Sequence, residues 1–203
     1  MANVMDSGTP RGAATRARIL AATAGLLSVA GPRNLTVSEI ARAAGVYPNQ
    51  ITHHYGSKDR LVLDAAFALF LRDTTRLQAA GRRAVGAEQF REVLARTALA
   101  MPSTVTVVQA LANNGGDAAQ RERVRLLLAV LFRQSERYLE RVIREHGWTS
   151  VAGADRDART FWSTVFGATL LASAGVSGNA SDLNLAATIS VTDPLQRPHI
   201  ASR

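Results

Sequence analysis

Residues 52–58 read THHYGSK and place two adjacent histidines, a tyrosine and the single lysine of the chain within seven positions. Side chains of these types bind metals, transfer protons or hold anions. Two histidines share a metal readily when they stand four residues apart on one face of a helix. Adjacent helical residues point about 100° apart, and no carboxylate lies one turn from His53 or His54. The spacing therefore does not favour a metal site.

The short motifs that mark common catalytic sites are also missing. The sequence contains no G-x-S-x-G, G-x-x-x-x-G-K-[ST] or G-x-G-x-x-G motif and no cysteine. Without cysteine there are no disulfides, thiolate zinc ligands or thiol nucleophiles. An all-helical enzyme with a site assembled from distant residues is the remaining catalytic alternative, but no residue pattern points to it. We therefore expect no enzymatic activity, no cofactor and no metal.

The third possible role of the cluster, holding an anion, agrees with the charge of the chain. The formal net charge is +8, and 23 of the 24 basic residues are arginine. Residues 1–60 hold seven basic and three acidic groups, so this part is the more positive per residue. A basic chain suggests an anionic partner such as nucleic acid, whereas solvated arginine-rich faces are the alternative.

The sequence gives no sign of secretion or membrane insertion. The N-terminus has no apolar stretch behind its arginines, unlike a secretory signal. The longest apolar runs are too short or too diluted by polar residues to span a bilayer. We expect a cytoplasmic protein that does not associate with membranes.

Apolar residues at helical spacing, separated by glycine and proline, predict an almost wholly helical chain. TVSE at 36–39 is a capping-box sequence in which Thr36 begins a helix, and Ser57 is placed to cap a later one. Strictly alternating β-branched runs are absent, so we expect an all-α fold without a sheet. The predicted helices cover 15–30, 36–44, 48–55, 58 onward, 87–100, 103–113, 120–146, 157–174 and 182–191, between a flexible arm at 1–14 and a disordered tail at 193–203.

The second and third of these helices are short and are joined by the tight turn AGVYP. This layout is typical of a helix-turn-helix, whose second helix enters the DNA major groove. Val46 and Ile51 are expected to face inward. Asn and Gln can bond to adenine, and Thr or Tyr can contact a thymine methyl. The exposed residues of the second helix are predicted to be Tyr47, Asn49, Gln50, Thr52, His53 and His54.

Residues 35–65, LTVSEIARAAGVYPNQITHHYGSKDRLVLDA, resemble the DNA-binding region of TetR-family transcriptional regulators. The resemblance implies a homodimer with a three-helix DNA-binding domain at 15–60 and a helical ligand-binding and dimerisation domain at 61–192. It also implies double-stranded DNA and a small-molecule effector as partners. The residues carried over as DNA-binding are Thr36, Ser38, Tyr47, Pro48, Asn49, Gln50, Thr52, His53, His54 and Lys58, with Lys58 holding a phosphate.

The sequence departs from the family pattern at two positions. Tyr47 stands where the family usually has serine, which removes a side-chain cap that Pro48 partly replaces. Thr52 stands where the family usually has tyrosine, which removes a common phosphate contact. Tyr47 either supplies the aromatic contact or packs over the turn. His54 either contacts a phosphate or packs against the first helix, and Tyr55 is expected to be a core aromatic.

The body offers two sets of candidates. The helix at 157–174 has a broad apolar face, and the family's paired C-terminal helices favour this face for dimerisation over a place in the subunit core. Its proposed interface residues are Phe161, Trp162, Val165, Phe166, Thr169 and Leu170. Gln134 and Ser135 interrupt the apolar stripe of helix 120–146, which indicates a ligand contact, a polar edge or an internal hydrogen bond. The candidate ligand walls are Phe67, Phe70, Met101, Gln109, Asn113, Phe132, Gln134, Ser135, Tyr138 and Trp148.

The resemblance favours a ligand-responsive transcriptional regulator, most simply a repressor that binds a palindromic operator as a dimer and is released by an effector. A small-molecule binding protein with a vestigial DNA-binding domain is the alternative. Tight, salt-dependent operator binding distinguishes the two.

Overall fold

The computed structural model describes residues 9–30, 35–112, 118–176 and 184–194. Helices dominate these ranges, and the predicted all-α fold class is confirmed. The α-helices are α1 Pro10–Ala30, α2 Val37–Ala44, α3 Pro48–Tyr55, α4 Lys58–Gly81, α5 Ala87–Ala100, α6 Pro102–Ala112, α7 Ala118–His146 and α8 Ala154–Ser173.

Helix α1 begins at Pro10, so the prediction of a flexible arm over 1–14 is wrong for residues 10–14. The Thr9 hydroxyl accepts a hydrogen bond from the Gly12 N–H at 3.1 Å. Threonine at the N-cap followed by proline in the first turn is a helix-start signal, because the cap satisfies a free N–H and proline has none. The rest of the predicted arm, residues 1–8, lies outside the described residues.

A small antiparallel pair of strands corrects the expectation that no sheet forms. β1, Thr149–Ser150, pairs with β2, Val191–Thr192. In the described part of the helix predicted at 182–191, the chain forms a 3₁₀ turn at Leu185–Thr188 and then β2. Two residues per strand are too few to produce the alternation by which strands are recognised in a sequence.

The predicted disordered tail is also wrong at its first residue. The Asp193 carboxylate accepts a hydrogen bond from the Ala87 N–H, with Oδ1 at 3.1 Å, and so caps the start of α5. A carboxylate at a helix N-terminus is favourable because it meets free N–H groups and the positive end of the helix dipole. Residues 195–203 of that tail lie outside the described residues.

The chain divides into two compact units, each with its own core. Unit 1 comprises Met1–Thr75 and Met101–Ala129, and unit 2 comprises Arg76–Ala100 and Val130–Arg203. The largest fully buried side chains of unit 1 are Ile19, Leu27, Ile40, Ile51, Leu61, Leu63, Phe67 and Phe70, and those of unit 2 are Phe90, Leu94, Leu131 and Trp162. Within the described ranges, no helix is long and apolar enough to cross a membrane.

Candidate nucleic-acid interface

Helices α2 and α3 form the predicted helix-turn-helix. Gly45 ends α2 in the left-handed conformation, with φ of 61°, which glycine adopts without the steric cost of a Cβ. The Val46 N–H then bonds to the Ala41 carbonyl at 3.0 Å and closes the end of the helix. Ile51 is fully buried on the inner side of α3, as predicted, and Val46 is half-buried.

The opposite side of α3 is exposed and polar. Tyr47 at its start is 79% exposed, and Gln50 is half-exposed. On the neighbouring elements Lys58 is half-exposed, and Ser57 caps α4 by accepting from the Arg60 N–H at 3.1 Å. The predicted DNA-binding residues that are exposed are Thr36, Ser38, Tyr47, Pro48, Asn49, Thr52 and His53.

Thr36 forms the predicted capping box with Glu39. Its hydroxyl accepts from the Glu39 N–H at 3.2 Å, and the Glu39 carboxylate accepts from the Thr36 N–H at 2.8 Å. The Thr36 hydroxyl also donates to the carboxylate at 2.7 Å. These bonds from the Thr36 side chain and backbone hold the pKa of Glu39 below its usual value. The Thr36 hydroxyl is therefore engaged with Glu39 and would have to turn to donate to a phosphate.

The start of α3 reflects the departure from the family pattern at Tyr47, the N-cap position. Tyr47 provides no side-chain cap, as the sequence predicts for a tyrosine in place of serine. The Gln50 side-chain oxygen instead accepts from the Tyr47 N–H at 3.3 Å. This bond uses one of the two lone pairs of the oxygen that a bidentate contact to adenine also requires. Asn49 is exposed beside it.

His54 is buried, with 8% of its surface exposed, so its predicted place on the exposed side of α3 is wrong. Position 54 lies three residues after Ile51 and therefore on the same side of the helix. The Arg16 guanidinium of α1 donates to the His54 carbonyl at 2.6 Å. Of the two readings of His54, packing against the first helix agrees with the structure.

Tyr55 is a core residue, as predicted, and only 2% of it is exposed. Its hydroxyl donates to the Arg16 carbonyl at 2.8 Å, and the Arg16 guanidinium lies 4.4 Å from the ring centroid. Burial raises the pKa of the Tyr55 hydroxyl, and the Arg16 charge opposes this rise. Arg16 was not predicted from the sequence, because an arginine on a helix gives no signal of a contact 38 residues away.

The predicted dimer face on α8 is largely buried within the subunit. Trp162 is 1% exposed and Val165 is fully buried, and the Trp162 Nε1 donates to the Ser135 hydroxyl at 2.7 Å. A side chain that is covered by its own chain cannot also contact a partner, so the assignment of the buried residues to a dimer interface is wrong. The buried members of the predicted face are Phe161, Trp162, Val165 and Thr169, while Phe166 is half-buried and Leu170 is 50% exposed.

The predicted ligand walls are distributed over both units. In unit 1, Phe67, Phe70 and Met101 are buried and Gln109 is half-buried. In unit 2, Tyr138 and Trp148 are buried, Phe132 and Ser135 are half-buried and Gln134 is exposed. Asn113 lies outside the described residues.

The interruption of the α7 stripe has two explanations in the structure, both of which the sequence left open. Gln134 is exposed and forms a polar edge, so its assignment as a ligand wall is wrong. Ser135 makes the internal hydrogen bond to Trp162. Tyr138 is also engaged, since its hydroxyl donates to the Gln78 carbonyl at 3.1 Å.

Unit 2 contains a cleft of about 550 Å³ along α5 that was not predicted from the sequence. This volume lies within the usual range for small-molecule sites. Glu92 and Arg96 contribute charged groups beside an apolar surface that includes Leu99 and Leu185. None of the predicted ligand walls lines this cleft.

The fold and the exposed side of α3 define a helix-turn-helix protein with a helical body. Two family models match the sequence, one for bacterial regulatory proteins of the tetR family over residues 19–65 and one for the C-terminal part of bacterial transcriptional repressors over residues 87–190. The second model alone covers half of the chain. The chain belongs to the TetR family and is a DNA-binding transcriptional regulator.

Solved structures support the same fold. A candidate transcriptional regulator from Rhodococcus sp. RHA1 is 28% identical, with 85% of this chain and 91% of that chain covered and a TM-score of 0.69. The reduced form of NemR from E. coli is 17% identical, with 90% and 100% covered and a TM-score of 0.59. SCO7518 from Streptomyces coelicolor A3(2) is 23% identical, with 87% and 98% covered and a TM-score of 0.57. No curated protein matches the sequence.

Proposed function

We propose that the chain is a dimeric repressor that binds a near-palindromic operator with α3 in the major groove and is released by a small-molecule effector. The observation that carries this proposal is the exposed polar side of α3, opposite a side that is buried around Ile51. An eight-residue helix with one buried side leaves its polar residues available to base edges and phosphates.

Within α3, Asn49 is the principal candidate for reading a base. It is exposed near the start of the helix, and an Asn amide can bond bidentately to adenine. Thr52 and His53 are exposed one turn further along and contribute methyl, hydroxyl and ring N–H contacts. Gln50 can join them, although its side-chain oxygen also accepts from the Tyr47 N–H.

Contacts to the phosphates come from the residues that flank α3. Lys58 lies at the start of α4, where free N–H groups and the helix dipole favour an anion. Ser38 is exposed in the first turn of α2 and can donate its hydroxyl. These contacts fix the orientation of the protein on the duplex without reading its sequence.

The dimer interface is proposed at the C-terminal end of α8 in place of the face that the subunit buries. Leu170 is 50% exposed and Leu171 is 48% exposed, and Val176 just beyond the helix is 56% exposed. Half-buried Phe166 lies one turn before Leu170. Adjacent exposed apolar side chains of this size are typical of a surface that a partner covers.

The effector is proposed to bind in the body, and the α5 cleft is the candidate site in unit 2. Its apolar surface and its two charged residues, Glu92 and Arg96, suit an amphipathic molecule with a polar group. Screening a metabolite library for release of bound DNA identifies the effector. Leu99→Arg should abolish that release without weakening DNA binding, and an unchanged response would locate the site elsewhere.

The operator experiment tests the central proposal. Duplexes are selected from a randomised pool, and binding is measured by fluorescence anisotropy at several salt concentrations. We expect two half-sites related by two-fold symmetry, with centres about 10 base pairs or a multiple apart, and affinity that falls steeply with salt. A duplex with one half-site is the control and should bind far more weakly. Failure to select any preferred sequence would favour the alternative of a small-molecule binding protein.

A further inference from the structure

A buried carboxylate in unit 1 joins three helices. Asp64 of α4 has a side chain that is 4% exposed. Arg123 of α7 holds it with two hydrogen bonds, from Nε to Oδ1 at 2.6 Å and from Nη2 to Oδ2 at 2.9 Å. Arg16 of α1 lies on the same carboxylate, with Nη2 at 3.8 Å from Oδ2. Asp64 therefore faces two arginines, one that precedes it in the sequence and one that follows it.

The two arginines interact with Asp64 very differently. Arg123 forms the planar two-bond arrangement that gives arginine its strongest pairing with a carboxylate. Arg16 is beyond hydrogen-bond distance of Asp64 and donates its Nη1 to the His54 carbonyl instead, at 2.6 Å. Because Arg123 satisfies the carboxylate, Arg16 is available for the end of α3.

The contact with the His54 carbonyl attaches Arg16 to α3. His54 lies in the last turn of α3, where backbone carbonyls lack a partner within the helix and the dipole favours a cation. The guanidinium also lies over the Tyr55 ring, and the Tyr55 hydroxyl donates back to the Arg16 carbonyl. Arg16 thus holds the C-terminal end of the helix that carries Asn49 and His53.

Resting on the function proposed above, we propose that Arg123 and Arg16 compete for the carboxylate of Asp64, so that the first part of α7 controls how firmly α3 is held. When Arg123 withdraws, Asp64 is left as a buried charge without its main partner, which is strongly unfavourable. Arg16 then moves onto Asp64 and leaves the His54 carbonyl, so the end of α3 loosens. Arg16, Asp64 and Arg123 act as positioning residues and need not touch DNA.

A double-mutant cycle on the full-length protein tests this competition. Arg123→Gln removes the cation of α7 and should lower operator affinity about tenfold, the effect expected from one hydrogen bond to a charged group. Asp64→Asn removes the carboxylate for which the arginines compete. On the Asp64→Asn background, Arg123→Gln should change affinity by less than about twofold. If Arg123 served only to stabilise its pair with Asp64, Asp64→Asn alone would lower affinity as much as Arg123→Gln does, whereas the competition predicts that Asp64→Asn alone keeps the wild-type affinity.

Arg125→Gln is the matched control, since it removes the same charge from the same helix. Arg125 is exposed and pairs with Glu122, its neighbour on α7, so its loss should leave affinity unchanged. Arg123→Lys keeps the charge without the two-bond geometry and should give an intermediate affinity. It also serves in place of Arg123→Gln if thermal unfolding shows that the glutamine variant does not fold.

Hydrogen exchange of the DNA-free protein measures how firmly Arg16 holds the C-terminal end of α3. Amides at the C-terminal end of α3 should exchange about tenfold faster in Arg123→Gln than in the wild type or in Arg125→Gln. Equal exchange and equal affinity in Arg123→Gln and Arg125→Gln would overturn the proposal. It would also be overturned if Arg123→Gln lowered operator affinity by the same factor with Asp64 and with Asn at position 64. If the wild type selects no operator while the exchange pattern holds, the proposed function fails and the competition for Asp64 stands.

Discussion

Helices α3 and α8 are both amphipathic, but their polar and apolar residues serve different purposes. In α3 the buried residues Ile51 and Tyr55 attach the helix to its neighbours, and Tyr47 and Asn49 remain exposed. In α8 the residues that looked most suited to a partner, Trp162 and Val165, are covered by the subunit itself.

The difference shows that an apolar face identifies the buried side of a short helix, but does not tell what covers the face of a long one. A helix of two turns between two close neighbours has room to bury one narrow side, so its other side is exposed. A helix of 20 residues with a broad apolar face can bury that face against its own chain or a partner, and burial in either place gives the same free energy per unit area. The sequence pattern is the same in both cases.

The largest expected effect separates the subunit core from the proposed dimer surface on α8. Val165→Arg places a charge where the side chain is fully buried, so we expect a loss of several kcal/mol in the free energy of unfolding. Leu170→Arg adds the same charge at an exposed position and should leave the subunit folded. It should instead convert a dimer into a monomer near 21.7 kDa by light scattering. A folded, monomeric Val165→Arg variant would return the interface to the buried face.

The second effect is a pH dependence of stability that arises from Tyr138 in the body, in addition to that of Tyr55 in α3, whose pKa is also raised. Burial raises the pKa of Tyr138 to about 12, whereas an unfolded tyrosine titrates near pH 10. The folded state therefore favours the neutral phenol, and this stability is fully present below about pH 10 and lost as the pH rises through about 12. The loss amounts to roughly 2–3 kcal/mol. Urea unfolding between pH 9 and 12 should show a shallower decline for Tyr138→Phe than for the wild type.

The third effect tests the packing around Tyr138. A Cβ at Gly81 would overlap the Tyr138 hydroxyl and lie 2.9 Å from Cε2 of Phe90, so Gly81→Ala should cost about 1–3 kcal/mol. Tyr138→Phe removes the overlapping oxygen and should recover part of that loss. Gly25→Ala in α1 is the control, because its Cβ would meet nothing within 4 Å and alanine favours a helix. The midpoint temperature of thermal unfolding should fall for Gly81→Ala and rise for Gly25→Ala.

The smallest effect on folding is expected on the exposed side of α3. Asn49→Ala should change the free energy of unfolding by less than about 0.5 kcal/mol and weaken operator binding by about 1–3 kcal/mol at particular base pairs. Lys58→Ala is the comparison, since it should weaken binding to all duplexes alike and reduce the salt slope by about one unit. Uniform losses for Asn49→Ala would assign it to the phosphates and not to a base.

Much of the DNA-binding region was predictable because its signals are local. The Thr36 capping box, Gly45 and Pro48 lie within 13 positions and fix the ends of two helices through bonds to near neighbours. The Thr9-Pro10 start of α1 carried a comparable signal that the polar composition of the arm concealed. The division into domains at residue 60 and the role of each site residue remain predictions.

The sequence by itself determined the all-α class, the bounds of α3 and the family of the protein, because capping and helical periodicity depend on residues a few positions apart. Only the tertiary structure decided that Val165 belongs to the subunit core, that His54 faces inward and that Arg16 and Arg123 meet at Asp64. Asp64 and Arg123 are separated by 59 positions, and no local pattern records which distant side chain will cover an apolar face or neutralise a buried charge. Those choices are made by packing, where the free energy depends on what surrounds a residue in space.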